Sequence, residues 1–480
     1  MSKFTKKLQE LIEKYDVPTS KLAKVLGVDK EDLALVYDES IVLNRENYQE
    51  LVKTMDLNII EARELEKLFN IYVFGEDEYN YKTKIRDFLE QISFKINWDL
   101  DKNYFCENAR LYKNAYQDSF YQYESQMSLI LAIKRVVNSS LCNDEKTRIR
   151  LVYNFNNEYL LGYFYEIFSS YQVNLEITHL TTFGGLHNGD FDLNILSYLI
   201  SLVLVSDLNY NCFYNNDYQR LVAGDFSNYM IVNEKTFIFD DQLSRGMLIS
   251  DPGQVEAFTK KFDDSIKMFK PMAYRCDSID RFNEIYRHIN REMVYYSIEP
   301  GVYLNNFLTR EMLLKYYNYA PDQSEKIADK MLKTLGRKNR QRVYKIVVTV
   351  EGLSDFVING VNNSFPQVAN LRYTVEERKQ ILEEMIEGVR NDTYQLNIIN
   401  TKSLMLPQSL VTVASHKSGL FFTMVRDYGN ESGNISFYLD DPALGKLFCD
   451  FIDSLKDDNV AYNKEDTLLL LTQMINGYLD

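Results

Sequence analysis

Two stretches of the chain, 228–270 and 409–456, carry the same order of hydrophobic and polar positions. In each, two short apolar runs flank a polar turn, a third apolar run follows, and Asp-Pro then opens a stretch with apolar residues at helical spacing. Aspartate caps helix N termini and proline suits the first helical position, so Asp251-Pro252 and Asp441-Pro442 predict two helix starts. The pattern predicts one hairpin–strand–helix unit that occurs twice.

The two predicted helices each have one apolar face. These faces comprise Val255, Phe258, Phe262, Ile266 and Phe269 in the first helix, and Leu444, Leu447, Phe448, Phe451 and Leu455 in the second. A second repeat, Tyr-Gln-x-Asn, begins at Tyr171 and at Tyr394, each time before a strand-like run. Its spacing from the Asp-Pro pair predicts an extra segment in the first half, near 183–206, within a duplicated α/β region.

Upstream of each hairpin the pattern predicts alternating strands and helices. In the first half these are strands at 149–155 and 173–180 and helices at 158–168 and 193–205; in the second, strands at 344–350 and 394–400 and a helix at 376–389. A last helix at 465–478 has a docking face of Leu468, Leu471, Met474 and Ile475. We therefore predict four domains: helical residues 1–70, a helical connector at 71–147, a first α/β half at 148–275 and a second at 276–480.

The pattern of residues 1–70 predicts short helices joined by tight turns, including a helix, a glycine turn at Gly27 and a second helix. The stretch Leu22-Ala-Lys-Val-Leu-Gly-Val28 resembles the Cro/C1 (Xre) family of helix-turn-helix DNA-binding domains. In that family alanine and glycine allow the two helices to approach closely, and the next helix enters the major groove. The resemblance implies DNA binding, and the residues available for backbone contacts are Thr19, Ser20, Lys21, Lys24 and Lys30.

The helix that would read DNA departs from the family pattern, because Asp29, Glu31 and Asp32 fill its first turn. Acidic residues there are favoured by the helix dipole but are repelled by phosphate. Two interpretations therefore stay open: a DNA-binding domain, or a protein-interaction or defence-type adaptor of the same shape.

Composition narrows the class of protein. The 480 residues carry a net charge of −15, and the five cysteines include no C-x-x-C pair. A scattered, odd set of cysteines indicates a reducing compartment, and residues 1–10 lack a signal-peptide pattern. The longest apolar run, 193–205, is too short to span a bilayer. These features predict a cytoplasmic protein that does not contact membranes and has no thiolate zinc site.

The order of strand, helix, strand, hairpin, strand and helix, occurring twice, is similar to the phospholipase-D-like superfamily. Active members carry His-x-Lys-x4-Asp in each hairpin. Here the first hairpin has no histidine, and the second has His416 and Lys417 adjacent, which is the wrong spacing. The resemblance therefore implies the fold without its chemistry, and we predict no catalytic residues and no enzyme activity.

Other candidate residues favour structural roles. His187 with Asp190 and Asp192 is too small a set to predict a metal site. The basic stretch 337–345 fits either an anion site or a solvated helix end, and the second is favoured. Tyrosines cluster near 159–171 and 210–218, where they could line a pocket.

We predict an α+β protein in which an N-terminal helix-turn-helix domain and a helical connector precede a duplicated, non-catalytic, phospholipase-D-like α/β region. The predicted function is cytoplasmic bacterial transcription regulation. The predicted partners are double-stranded DNA, a second copy of the chain in a homodimer, and a small-molecule or peptide effector; no cofactor and no metal are expected.

Overall fold

The computed structural model describes sixteen continuous segments and several single positions. The segments are 2–26, 28–29, 43–96, 120–141, 147–153, 175–181, 209–215, 228–275, 292–301, 309–316, 342–360, 372–399, 404–407, 410–424, 435–456 and 460–479, with single positions at 307 and within 193–202 and 325–332. The chain divides into two compact units, Met1–Arg86 and Asp87–Asp480.

The first unit is helical. Its helices are α1 (Lys3–Lys14), α2 (Thr19–Leu26), α3 (Arg45–Met55), α4 (Ile59–Phe74) and the first part of α5 (Glu76–Ile96). Each of α1, α3 and α4 begins at a polar cap: Ser2, Asn44 and Asn58 accept hydrogen bonds from backbone N–H groups of their first turns. The predicted helices at the start of the chain are confirmed. The expected reading helix and Lys30 lie outside the described residues.

An aromatic and aliphatic core holds α1, α2, α3 and α4 together. Phe4, Tyr48 and Phe69 meet at its centre, where Tyr48 and Phe69 stack with ring centroids 4.1 Å apart. From α2, Leu22, Ala23 and Leu26 are buried in the same core. Asn47 on α3 donates through its side-chain amide to the Leu26 carbonyl, 3.0 Å away, which satisfies a carbonyl at the end of α2. The inner face of α2 is therefore fixed.

In the second unit, the chain from residue 120 forms a first sheet. Its strands are β1 (Phe120–Tyr123), β2 (Thr147–Val152), β3 (Leu175–Thr181), β4 (Asn209–Tyr214), β5 (Asn228–Val232), β6 (Lys235–Phe239), β7 (Gly246–Ile249) and β8 (Lys270–Pro271). The strand order is β1-β7-β6-β5-β2-β3-β4-β8, and β2, β3 and β4 run parallel. Helix α6 (Gln126–Leu141) precedes β2, and α7 (Pro252–Ser265) follows β7.

A second sheet repeats this order. Its strands are β9 (Ala273–Arg275), β10 (Val294–Ile298), β11 (Val343–Thr349), β12 (Tyr394–Ile399), β13 (Leu410–Ser415), β14 (Gly419–Met424) and β15 (Ile435–Leu439). The order β12-β11-β10-β13-β14-β15-β9 places three parallel strands, a hairpin and a last antiparallel strand in the sequence seen in the first sheet. The duplicated α+β architecture is confirmed.

The equivalent strands correct three sequence-based expectations. Tyr394 opens β12, the third parallel strand, whereas the repeat at Tyr171 precedes β3, the second one, so the Tyr-Gln-x-Asn repeat does not mark equivalent positions. Strands β4 and β10 were not predicted, and β10 rather than β11 opens the parallel strands of the second half. The extra segment predicted near 183–206 of the first half is also wrong, because the β3–β4 connection, 182–208, is shorter than the equivalent β11–β12 connection, 350–393.

Helices cover the faces of both sheets. The second half also contains α8 (Arg310–Tyr316), α9 (Val350–Asn359), α10 (Val375–Arg390), α11 (Pro442–Ser454) and α12 (Lys464–Tyr478). Helix α11 follows β15 as α7 follows β7. Helices α9, α10 and α12 share one core with the second sheet, and Leu471, Met474 and Ile475 of α12 are buried in it. The predicted docking face of the last helix is therefore used within the chain.

Candidate functional site

The exposed side of α2 gathers four of the five sequence-predicted DNA-contacting residues. Thr19, Ser20, Lys21 and Lys24 are all exposed, whereas Leu22, Ala23 and Leu26 point into the core. The spacing of the three buried residues allows no other orientation of this helix. Pro18 precedes the helix, and its carbonyl accepts hydrogen bonds from the backbone of Lys21 and Leu22.

Ion pairs divide the lysines of the first unit into two groups. Lys7 lies 2.8 Å from Glu64 and Lys14 lies 2.5 Å from Glu61. The hydrogen bond to Glu64 raises the pKa of Lys7, and the one to Glu61 raises the pKa of Lys14. Within the described part of the chain, Lys21 and Lys24 form no ion pair.

An anion is the ligand that this side of α2 suits. The N-terminal end of a helix carries free N–H groups and a partial positive charge. Thr19, Ser20 and Lys21 lie in the first turn of α2, and Lys24 lies in its last turn. Such a surface can hold phosphate oxygens at intervals along a strand of nucleic acid. The aspartate that follows, Asp29, is exposed and adds the opposite charge.

The hairpin of the second half carries the histidine and lysine that the sequence singled out. His416 and Lys417 are exposed in the turn between β13 and β14, and neither reaches a second histidine–lysine pair among the described residues. The preceding Ser415 is buried and donates its hydroxyl hydrogen to Glu292 while accepting from the backbone of Lys417 and Ser418. Ser415 thus holds the turn.

A polar cluster that the sequence did not reveal lies between the second sheet and α11. Lys345 on β11 is 2.5 Å from an Asp453 carboxylate oxygen and 3.1 Å from the Tyr296 hydroxyl, which also donates to Asp453 at 3.1 Å. Burial opposes the charge on Lys345, but the bonds to Asp453 and Tyr296 outweigh it and raise the pKa of Lys345. His416 packs edge-on against the Tyr296 ring. The cluster is internally paired.

A second buried polar group lies in the first sheet. His179 on β3 has its Nε2 2.8 Å from the Tyr153 carbonyl and its Nδ1 2.8 Å from the Tyr210 hydroxyl. A carbonyl only accepts, so Nε2 carries the hydrogen and the tyrosine donates to Nδ1. Burial lowers the pKa of His179 to about 4, and burial raises the pKa of the neighbouring Cys212 thiol. The histidine is neutral and part of the core.

The other residues singled out in the sequence are either buried in the core or lie outside the described residues. Arg342 is buried over the rings of Tyr295 and Tyr344, which corrects the prediction of a solvated basic stretch at this position; 337–341 lie outside the described residues. So do His187, Asp190 and Asp192 and the tyrosines at 159–171. In the described segments no group of three or more His, Cys, Asp or Glu side chains could bind a metal ion. Every helix in those segments is too short or too polar to span a lipid bilayer.

Comparisons with known proteins yield structural likeness only. No protein-family model and no curated protein matches the chain. Among solved structures, the archaeal chromatin protein TrmBL2, whose structure shows a mode of DNA binding, matches at 14% identity and a TM-score of 0.22, covering 44% of this chain and 70% of that one.

Two further matches are enzymes by name. Phosphatidylserine synthase of Haemophilus influenzae Rd KW20 matches at 8% identity and a TM-score of 0.22, covering 77% of this chain and 97% of that one. Polyphosphate kinase from Porphyromonas gingivalis matches at 8% identity and 0.21, covering 70% and 50%. These matches contradict the prediction that the chain is not an enzyme, which rested on the missing His-x-Lys spacing. Catalytic residues can converge without any spacing in sequence. TM-scores this low assign neither a reaction nor a ligand to the chain.

Proposed function

We propose that the chain is a transcription regulator that binds double-stranded DNA through its first unit, with the exposed side of α2 against the phosphate backbone. The observation that carries this proposal is the contrast among the lysines. Lys7 and Lys14 are neutralised by glutamates, whereas Lys21 and Lys24 have no ion pair with a described residue and are exposed on the same helix as Thr19 and Ser20.

The physical basis is counterion release. Each phosphate that a lysine neutralises frees a condensed cation, so a few contacts supply most of the affinity. The net acidity of residues 1–70 limits the number of such contacts and predicts modest affinity. Lys30 would add a third contact, and Lys3 and Lys6, which are exposed on α1, would add outer ones. Lys7, the other outer candidate, is paired with Glu64. Specificity would come from a few polar contacts around Thr19, Ser20 and Lys30.

The duplicated region would sense an effector and join two copies. Helix-turn-helix proteins bind paired half-sites about one DNA turn apart, and a homodimer matches that symmetry. A small molecule or peptide bound by residues 87–480 would then control DNA affinity in the cytoplasm.

A charge-reversal experiment tests the DNA interface. The double variant Lys21→Glu, Lys24→Glu should abolish the mobility shift of DNA from upstream of the gene, because two phosphate contacts become repulsive. The matched control is Arg63→Glu, Lys67→Glu, which makes the same change in charge at two exposed positions of α4 and should bind as wild type does. Circular dichroism checks that both variants stay helical.

Two results would count against the proposal. If the α2 variant binds as tightly as wild type, the unit contacts DNA by another face. If wild type gives no shift at low salt anywhere in the promoter region, the first unit is the protein-interaction adaptor that the acidic residues around Asp29 favour.

A further inference from the structure

The two sheets of the second unit are joined by one continuous segment, 270–275, which we name the shared strand. Its first part, β8, pairs antiparallel with β4, with Lys270 opposite Tyr214 and Pro271 opposite Phe213. Its second part, β9, pairs antiparallel with β15 of the second sheet. The edges of both sheets are therefore completed by the same piece of chain.

Met272 is the residue at which the shared strand changes sheet. Its N–H donates to the Cys212 carbonyl of β4 at 2.8 Å, and its carbonyl accepts from the Tyr438 N–H of β15 at 3.2 Å. The side chain is fully buried. Met272 therefore has one backbone hydrogen bond to each sheet. It cannot separate from either sheet without breaking a buried hydrogen bond.

Strand β9 takes the place in the second sheet that β1 takes in the first. In the first sheet, β1 covers the last hairpin strand, β7, in antiparallel pairing; in the second, β9 covers the equivalent strand, β15. The first half has a separate covering strand, whereas the strand that covers the second half is the direct continuation of β8. The strand that completes the second sheet is thus continuous with the edge strand of the first sheet.

Two side-chain contacts reinforce the junction. The Tyr214 hydroxyl on β4 accepts from the Asp440 N–H at 2.8 Å, and Lys270 lies 3.4 Å from the Asp440 carboxylate. Tyr214 is buried. The next residue, Asp441, caps α11 by accepting from the Leu444 N–H. The start of α11 is therefore tied to β4 of the other half.

We propose that the shared strand and the Tyr214–Asp440 contact form a coupling device that makes the two halves open as one unit and transmits a displacement of β4 to the start of α11. A ligand that shifts the first half would move α11 without touching the second. The device does not depend on DNA binding, since every residue in it belongs to the second unit.

Hydrogen exchange in increasing denaturant, followed by mass spectrometry on the full chain, tests this coupling. In wild type, the slowest amides of β3 and β12 should exchange through the same global opening, so that their opening constants are equal. The variant Tyr214→Phe, Lys270→Ala should separate them by about fivefold, as expected from the loss of one or two net hydrogen bonds. Met272→Pro, which removes the N–H bonded to Cys212, should separate them further.

The matched control is Tyr462→Phe, Lys267→Ala. It removes the same groups at exposed positions, and Lys267 pairs with Asp264 of the same helical segment. It should leave the two opening constants equal. Unequal constants for β3 and β12 in wild type would overturn the proposal. Equal constants in the Tyr214 variant would also overturn it, because the halves would then be coupled elsewhere.

Discussion

Asp263 and Asp453 are equivalent residues of the two halves, and each pairs with a cation from the parallel strands. They follow the capping residues Asp251 and Asp441 at the same interval along α7 and α11. Asp263 lies 3.4 Å from Arg150 on β2, and Asp453 lies 2.5 Å from Lys345 on β11. The duplication thus extends to a carboxylate that anchors each helix, although the cation has moved by one strand.

The two ion pairs should differ in strength because their burial differs. The Asp453 side chain is 37% exposed and Asp263 is 57% exposed. Asp453→Asn leaves Lys345 half-buried without its counterion and should lower the free energy of unfolding by about 1–2 kcal/mol. Asp263→Asn should cost about 0.5 kcal/mol or less. Urea denaturation at neutral pH measures both. Equal losses would mean that burial does not distinguish the pairs.

His179 should make stability depend on pH. Its pKa is about 4 in the folded chain against an ordinary 6.5, so between these values the unfolded chain binds a proton that the folded chain does not. The contribution of the neutral imidazole to the free energy of unfolding is complete above pH 6.5. It is lost as the pH falls from 6.5 to 4, by about 1.4 kcal/mol per pH unit and about 3 kcal/mol in total.

The variant His179→Gln isolates this contribution, since all carboxylates stay in place. The difference in unfolding free energy between wild type and variant should shrink from pH 7 to pH 4. A constant difference over that range would contradict the assignment of a neutral, buried imidazole.

Gly445 permits α11 to lie against the β13–β14 hairpin. A Cβ at this position would overlap the carbonyl oxygen of Ser415 and crowd Gly419, both of which are backbone contacts that cannot yield. Gly445→Ala should therefore destabilise the chain by about 3 kcal/mol or more. Gly253→Ala in α7 is the control, because a Cβ there meets only Asp251 at 3.5 Å. The melting temperature of the control should equal or exceed that of wild type. A similar loss of melting temperature in both variants would contradict the packing argument.

Salt dependence should report the number of phosphate contacts. Three or four contacts per protomer, from Lys21, Lys24 and the neighbouring lysines, give a homodimer a slope of about −5 to −7 in log affinity against log salt. Fluorescence anisotropy between low and physiological salt measures it, and light scattering gives the oligomeric state. A slope near zero, or a monomer with and without DNA, would contradict a dimeric DNA-binding protein.

The exposed side of α2 could be predicted from sequence because it depends on helical periodicity alone. Once Leu22, Ala23 and Leu26 define the inner face, Ser20, Lys21 and Lys24 must face outward. Thr19 falls on the inner side of the helix by periodicity, yet it is exposed as the first residue of α2. No comparable signal exists for the cluster of Tyr296, Lys345 and Asp453, which lie far apart in sequence and meet only when α11 packs on the sheet.

The sequence by itself determined the helix caps, the hairpins and the apolar helix faces, including the paired starts at Asp251 and Asp441. Each depends on contacts between residues a few positions apart, which the local pattern specifies. Only the tertiary structure decided the strand order, the short strands β4 and β10, and the shared strand. A central strand receives its hydrogen bonds from distant segments, so its few residues carry no periodicity that distinguishes them until the sheet forms around them.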